Sequence, residues 1–189
     1  MNKRSCVWLV LLFSVSVLVF AGCQKSGDDD DNGGDVSFHS VSFTPEGQGG
    51  AGDLWLELGD VDVAHGKITL KVIGDAFAAY GVAGRLLFDQ KVLMLTGAYA
   101  GDALAGENVQ IVAAGAANDE GGVFGFSRSG DYSSSAEVTK SKVIGTLEFK
   151  LIAHGTAEIT FNADRSRVVN EVLDSVEVAH WLGGTVMVE

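Results

Sequence analysis

Apolar and polar residues alternate along most of this sequence in short runs, which is the pattern of β-strands with one buried face. In one such run Leu54, Leu56 and Leu58 alternate with Trp55 and Glu57. Clusters of glycine, asparagine and aspartate separate the runs, and the sequence holds 25 glycines but one proline. No segment carries a sustained helical period. The chain is therefore expected to be all-β, an antiparallel sandwich of short strands joined by tight turns.

Eleven runs carry this alternation and are predicted to be strands. Gly74-Asp75 and Gly183-Gly184 are typical of the turns between them. The predicted strands cover residues 36–43, 54–58, 68–72, 82–88, 92–99, 108–113, 123–127, 143–151, 157–161, 175–179 and 185–188.

Residues 1–22 have the order of a secretory signal. Lys3 and Arg4 give a cationic start, and residues 7–21 are apolar apart from two serines. This run of about 15 residues is shorter than the roughly 17–25 residues that a membrane-spanning helix needs. We expect residues 1–22 to be an export signal that is cleaved.

The signal ends in Phe20-Ala21-Gly22-Cys23, which resembles the lipobox of bacterial lipoproteins. The resemblance implies that the Cys23 thiol is lipidated and that cleavage occurs just before it. Gln24 follows instead of the Asp that retains some lipoproteins at the inner membrane, so the expected location is the outer membrane or cell surface. The alternative is an ordinary cleaved signal followed by an unmodified cysteine.

Residues 23–35 are expected to be an acidic, extended tether, since the run Asp28 to Asp31 repels itself and glycines follow. The first positions of this run match a calcium-binding EF-hand loop, but the twelfth position is His39 instead of glutamate. No metal site is predicted there. The folded domain is expected to cover residues 36–189, with its core in 54–188.

Composition excludes several partners and cofactors. Without Lys3 and Arg4 of the signal, 11 basic residues face 25 acidic ones, a formal charge of −14. A nucleic-acid phosphate backbone would repel such a chain. The glycines at 47, 49 and 52 match a dinucleotide-binding motif, but a strand-like run follows where that motif needs a helix. The four histidines show no metal-ligand spacing. No cofactor is predicted.

No pattern typical of catalysis emerges. The sequence offers no nucleophile with an adjacent base, and the carboxylate pair of a glycosidase cannot be identified from spacing. Asp89 and Glu148 are chance candidates among many acidic residues. The protein is predicted to bind and not to be an enzyme.

Five blocks of this sequence, in order, resemble the cohesin family. The most specific has a glycine, an alternating strand, then Phe88-Asp89 and Val92-Leu93, with Gln90 where the family usually has proline. The five blocks are residues 66–72, 80–93, 144–150, 155–161 and 183–188. The resemblance implies a nine-stranded jelly-roll sandwich of the superfamily that also contains cellulose-binding modules. It also implies a dockerin partner, which is a calcium-loaded helical module of polysaccharide-degrading enzymes.

Cohesins bind dockerins through one sheet face, and alternation indicates which side chains lie there. Val82, Leu86 and Phe88 should point into the core. The opposite row has Gly81 and Ala83 where the family carries an asparagine and an aspartate, and Arg128 stands where it tends to carry an acid. A standard dockerin grip is therefore not expected. The predicted partner-binding residues are Gly81, Ala83, Arg85, Leu87 and Arg128, and the alternative is an ordinary solvated strand face.

The function predicted from the sequence is a surface-anchored lipoprotein whose cohesin-like domain recruits a dockerin-type protein for polysaccharide binding or degradation. Any calcium would be bound by the partner. The alternative is direct carbohydrate binding, in which Trp55, Trp181 and Tyr132 stack on sugar rings.

Overall fold

The computed structural model describes residues 36–105, 110–116, 120–129 and 134–189. The export signal, Cys23, the acidic tether and Tyr132 lie outside these residues, so the statements made about them above stay predictions. Within the described residues, no helix is both long enough and apolar enough to cross a membrane.

The described residues form fifteen strands in three sheets. The larger sheet contains β1 (Val41–Pro45), β5 (Gly81–Leu87), β7 (Gln110–Ala116), β8 (Gly121–Arg128), β11 (Gly155–Phe161), β12 (Arg167–Val169), β13 (Ser175–Val176) and β15 (Gly184–Val188). A five-stranded sheet contains β2 (Leu54–Asp62), β3 (Lys67–Gly74), β6 (Leu93–Ala100), β10 (Lys142–Leu151) and β14 (Trp181–Leu182). The short strands β4 (Phe77–Ala79) and β9 (Ala136–Val138) pair with each other.

The larger sheet runs β1-β15-β11-β5-β8-β7, and β12 continues along the edge of β5 where β11 ends. The five-stranded sheet runs β14-β2-β3-β10-β6. Among the described strands, β14 and β2 form the one parallel pair. The expected all-β sandwich is confirmed. Ten strands have five or more residues and five have two or three, so the count exceeds the nine that the resemblance implied.

All eleven predicted strands overlap an observed strand, and the errors lie at their ends. Residues 36–40 and 177–179 belong to no strand. The backbone N–H of Ser40 instead donates to the carbonyl of Glu189 at 2.9 Å, and the Ser40 hydroxyl donates to the Glu189 carboxylate at 2.9 Å. This contact fastens the segment before β1 to the end of β15. The strands that alternation missed are β4, β9, β12 and β14, which are too short to show a period.

The two large sheets bury their apolar rows in one shared core. Leu54, Leu70 and Phe149 come from the five-stranded sheet, and Leu86 and Phe126 from the larger one, and each is less than 2% exposed. Because side chains alternate across a strand, burying these rows sends the residues between them to the two outer faces. The core therefore determines which side chains the outer faces present.

Candidate functional site

The outer face of β5 carries the row that the sequence predicted. Val82 and Leu86 are buried, Ala83 is exposed, and Arg85 and Leu87 are partly exposed. Gly81 shares this row but is buried by its neighbours, since a Cβ there would lie 3.3 Å from the Ser127 hydroxyl.

Neighbouring strands add residues that complete this face. On β8, Ser127 is opposite Gly81 and Gly125 is opposite Ala83. On β12, Arg167 is opposite Ala83. Because most of these positions carry little or no side chain, the face has a shallow concavity of about 210 Å³. We call it the glycine dish and define it by Gly81, Ala83, Gly125, Ser127, Arg167 and Val169.

The floor of the glycine dish is open above Gly125. A Cβ at this residue would approach no atom closer than the Val82 carbonyl oxygen, at 4.0 Å. Val123, two residues earlier on β8, is 42% exposed and lies opposite Arg85. This face of the sheet therefore has an apolar floor of small residues and backbone, with the exposed Val123 and the basic side chains of Arg85 and Arg167 beside it.

Arg85 lies against this face and has few hydrogen-bond acceptors. Its side chain is 12% exposed, and Nη2 is 3.4 Å from the carboxylate of Glu120. Its Nε is buried and has no hydrogen-bond partner among the described residues. The Arg85 backbone N–H donates to the Ser166 hydroxyl at 3.1 Å, which joins β5 to the start of β12.

Arg128 does not join the predicted row. It follows Ser127 on β8, so alternation puts it on the opposite side of the strand from the glycine dish. Its Nη1 donates to the Ser134 carbonyl at 3.0 Å, and its Nε is buried without a partner among the described residues. Of the five predicted partner-binding residues, the structure brings together Gly81, Ala83, Arg85 and Leu87.

Sequence reasoning missed Gly125, Ser127, Arg167 and Val169. Gly125 and Ser127 lie in a predicted strand, but only the pairing of β8 with β5 brings them beside Ala83 and Gly81. Arg167 and Val169 belong to β12, whose three residues are too few to show alternation.

The two predicted sugar-stacking residues that the structure describes, Trp55 and Trp181, do not form a platform. Trp55 was expected to be exposed but is only 4% exposed, because the loop at Gly49 covers its ring. Its Nε1 donates to Glu57 at 2.7 Å. Trp181 is partly buried, with its ring centroid 5.4 Å from that of Phe161. Gly49, one of the three glycines that matched the dinucleotide motif, thus allows a loop to pack closely on Trp55.

Glu148 is held by neighbours on the outer face of the five-stranded sheet. Burial raises the pKa of its carboxyl, but hydrogen bonds from Thr96, Tyr99 and Lys67 outweigh this and lower the pKa below its ordinary value. Glu148 is therefore ionised at neutral pH and unsuited to act as a general acid. Asp89 accepts a hydrogen bond from the Lys91 backbone N–H at 2.8 Å, as in a turn. Neither carboxylate occupies a cleft with the other in the described part of the chain.

The described histidines have separate neighbours. His65 lies 2.7 Å from Asp62, His180 lies 2.8 Å from Asp53, and His154 packs against Phe38. Residues 36–105, 110–116, 120–129 and 134–189 contain no group of three or more His, Cys, Asp or Glu side chains that could hold a metal ion.

No family model and no curated protein matches this sequence. Solved cohesin structures do match its fold. The third cohesin of ScaC from Acetivibrio cellulolyticus, in complex with the ScaB dockerin, aligns with a TM-score of 0.51 and 13% identity over 64% of this chain and 87% of that chain. A type II cohesin domain from the cellulosome of Acetivibrio cellulolyticus aligns with a TM-score of 0.51 and 13% identity, over 71% of this chain and 94% of that chain.

The chain has the cohesin fold. The resemblance drawn from five sequence blocks is thus confirmed at the level of fold. Within this cohesin fold, the glycine dish occupies the outer face of the sheet that contains β11, β5, β8 and β7.

Proposed function

We propose that this domain is a docking module without catalytic activity, and that it binds a dockerin-like protein module through the glycine dish. The observation that carries the proposal is an open, small-residue face on a cohesin fold. One of the solved cohesins with this fold is bound to a dockerin.

The chemistry of the face suits a protein partner. A floor of glycine and alanine lets a partner's side chains approach the backbone closely, and the exposed Val123 supplies apolar area at the edge of the dish. Protein interfaces bury apolar side chains at the centre and place polar or charged groups at the rim. Arg167 and Arg85 are such rim groups here.

The proposal includes an anchor and a biological setting. Lipidation at Cys23 would hold the protein on the outer membrane or cell surface, and residues 24–35 would link it to the domain. The recruited protein would act in polysaccharide binding or degradation. Direct carbohydrate binding is less favoured, because Trp55 is covered and Trp181 packs against Phe161.

The test uses calcium-loaded modules from the same genome that carry paired D-x-[DN]-x-[DN]-G loops. Each is titrated into the full protein by calorimetry, with and without EDTA. We expect at least one to bind, and EDTA to abolish its binding. The variant Gly125→Trp fills the open floor and should weaken binding at least about tenfold, as loss of a central contact does.

The matched control is Lys71→Trp, which adds the same side chain at an exposed position of β3 in the other sheet. It should bind like the unmodified protein. If no loaded module binds, or if Gly125→Trp binds as well as Lys71→Trp, the docking function or its location is refuted.

A further inference from the structure

Arginines and lysines occupy different parts of this domain. Arg85 and Arg167 lie on β5 and β12 of the larger sheet, Arg128 ends β8, and Arg165 lies in the short 3-10 helix before β12. The lysines that the structure describes lie on the five-stranded sheet or in turns (Lys67, Lys71, Lys91, Lys140, Lys142 and Lys150). Arg85 and Arg167 are thus a basic pair on a chain whose net charge is −12.

Two of these arginines flank the glycine dish on its outer face. Arg167 lies opposite Ala83, and Arg85 is two residues further along β5. Diagonal cross-strand neighbours of this kind are roughly 7–8 Å apart. Two guanidinium groups carried by such neighbouring backbone positions repel each other, and an anion placed between them would offset that repulsion.

The described residues supply little of that negative charge. Arg167 is exposed and forms no ion pair with any of them. Arg85 has one ion pair, at 3.4 Å, with Glu120, whose side chain is 74% exposed. Arg167 is therefore able to bind a carboxylate, which its guanidinium group can grip through two parallel hydrogen bonds. Arg85 is largely buried and adds positive charge beside it.

We propose that the partner's contact surface is acidic. Resting on the docking function proposed above, the inference is that a helical module places an Asp or Glu carboxylate on Arg167, beside the positive charge of Arg85, and a small apolar side chain on the floor at Gly125. On β5 the dish presents Gly81 and Ala83, and neither residue offers a carboxylate to a basic partner.

The negative charge of the rest of the chain does not prevent this contact. At physiological ionic strength the screening length is about 8 Å, so more distant exposed charges repel the partner weakly. Ion pairs formed at contact and partly buried by the partner are screened much less. The arginines at the dish therefore decide which charge is preferred there.

The experiment uses two versions of one calcium-loaded dockerin-type module, with Glu or with Lys at the exposed positions of its helices. Affinities for the full protein are measured by calorimetry at 0.15 M salt. We expect the Glu version to bind at least tenfold more tightly. Arg167→Glu should remove or reverse this preference, and Arg167 is exposed, so the fold should tolerate the change.

The matched control is Lys150→Glu, which makes the same change in net charge on the other sheet. Lys150 lies opposite Lys67 in the ladder of β10 and β3, so this reversal puts opposite charges across the ladder. It should keep the preference for the Glu version. If both versions bind equally, or if the Lys version binds more tightly, the acidic partner is refuted while docking stands. If neither binds, the docking function itself fails.

Discussion

Two glycines in this fold should respond to the same substitution with opposite signs. Gly125 lies on the open floor of the glycine dish, whereas Gly145 lies in β10 where the strand faces the core. A Cβ at Gly145 would lie 2.7 Å from Cδ1 of Phe126 and still closer to two other ring carbons. Real Cβ atoms essentially never approach other atoms within 3.0 Å. Gly145→Ala therefore forces the ring or the backbone to move.

The size of each effect follows from the surroundings. Phe126 is 1% exposed, so its ring has no solvent to move into. Overpacking of a filled core costs about 1–3 kcal/mol. Gly125 does not have a positive φ and has space above it, so Gly125→Ala should stabilise the fold by about 0.4–1 kcal/mol through the unfolded chain.

The measurement is thermal and urea denaturation of the full protein, followed by tryptophan fluorescence. For a domain of this size, about 1 kcal/mol corresponds to about 2–4 °C in Tm. We expect Gly145→Ala to lower Tm by roughly 2–12 °C and Gly125→Ala to raise it by roughly 1–4 °C.

A second substitution tests the cause. Phe126→Leu removes ring atoms from the space that a Cβ at 145 would enter, so the double variant should be more stable than the sum of the two single effects predicts. If Gly145→Ala is as stable as the unmodified protein, the close packing of the Phe126 ring on Gly145 is refuted.

Two further predictions concern a carboxylate and the anchor. Burial raises the pKa of Asp53, but hydrogen bonds from His180 and from the Gly50 backbone N–H outweigh it and lower the pKa below the ordinary value of 3.8. The ionised Asp53 carboxylate therefore stabilises the fold above about pH 4, and this stabilisation is lost as the pH falls through the pKa of the folded state. Asp53→Asn should cost about 1 kcal/mol at pH 7 and progressively less as the pH falls below about 4, as urea titrations would measure; a deficit that does not shrink below about pH 4 would contradict it. For the anchor, Cys23→Ser should move the protein from the membrane fraction to the soluble exported fraction, and retention on the membrane would rule out lipidation there.

The outer row of β5 could be predicted from the sequence because alternation within a single strand is enough to assign its two faces. It did not predict Arg167 beside Ala83, because β12 has three residues and follows a short helix. Trp55 shows a different limit. Alternation correctly indicated that it leaves the core row, but the cover over its ring comes from a loop, and loop packing has no period to read.

The fastening of Ser40 to Glu189 has a mechanical consequence. Gly155 at the start of β11 is opposite Val188, near this contact, and Thr160 further along β11 is opposite Leu87 of β5. Nine residue steps along these two strands lead from Gly155 to Ala83 in the glycine dish, a separation of roughly 30 Å. A surface that holds the domain through residue 36 would therefore be separated from the glycine dish by most of the length of these strands. A force applied to that segment would act along β1. The hydrogen bonds between β1 and β15, at five paired positions, are perpendicular to that force and would resist it together in shear.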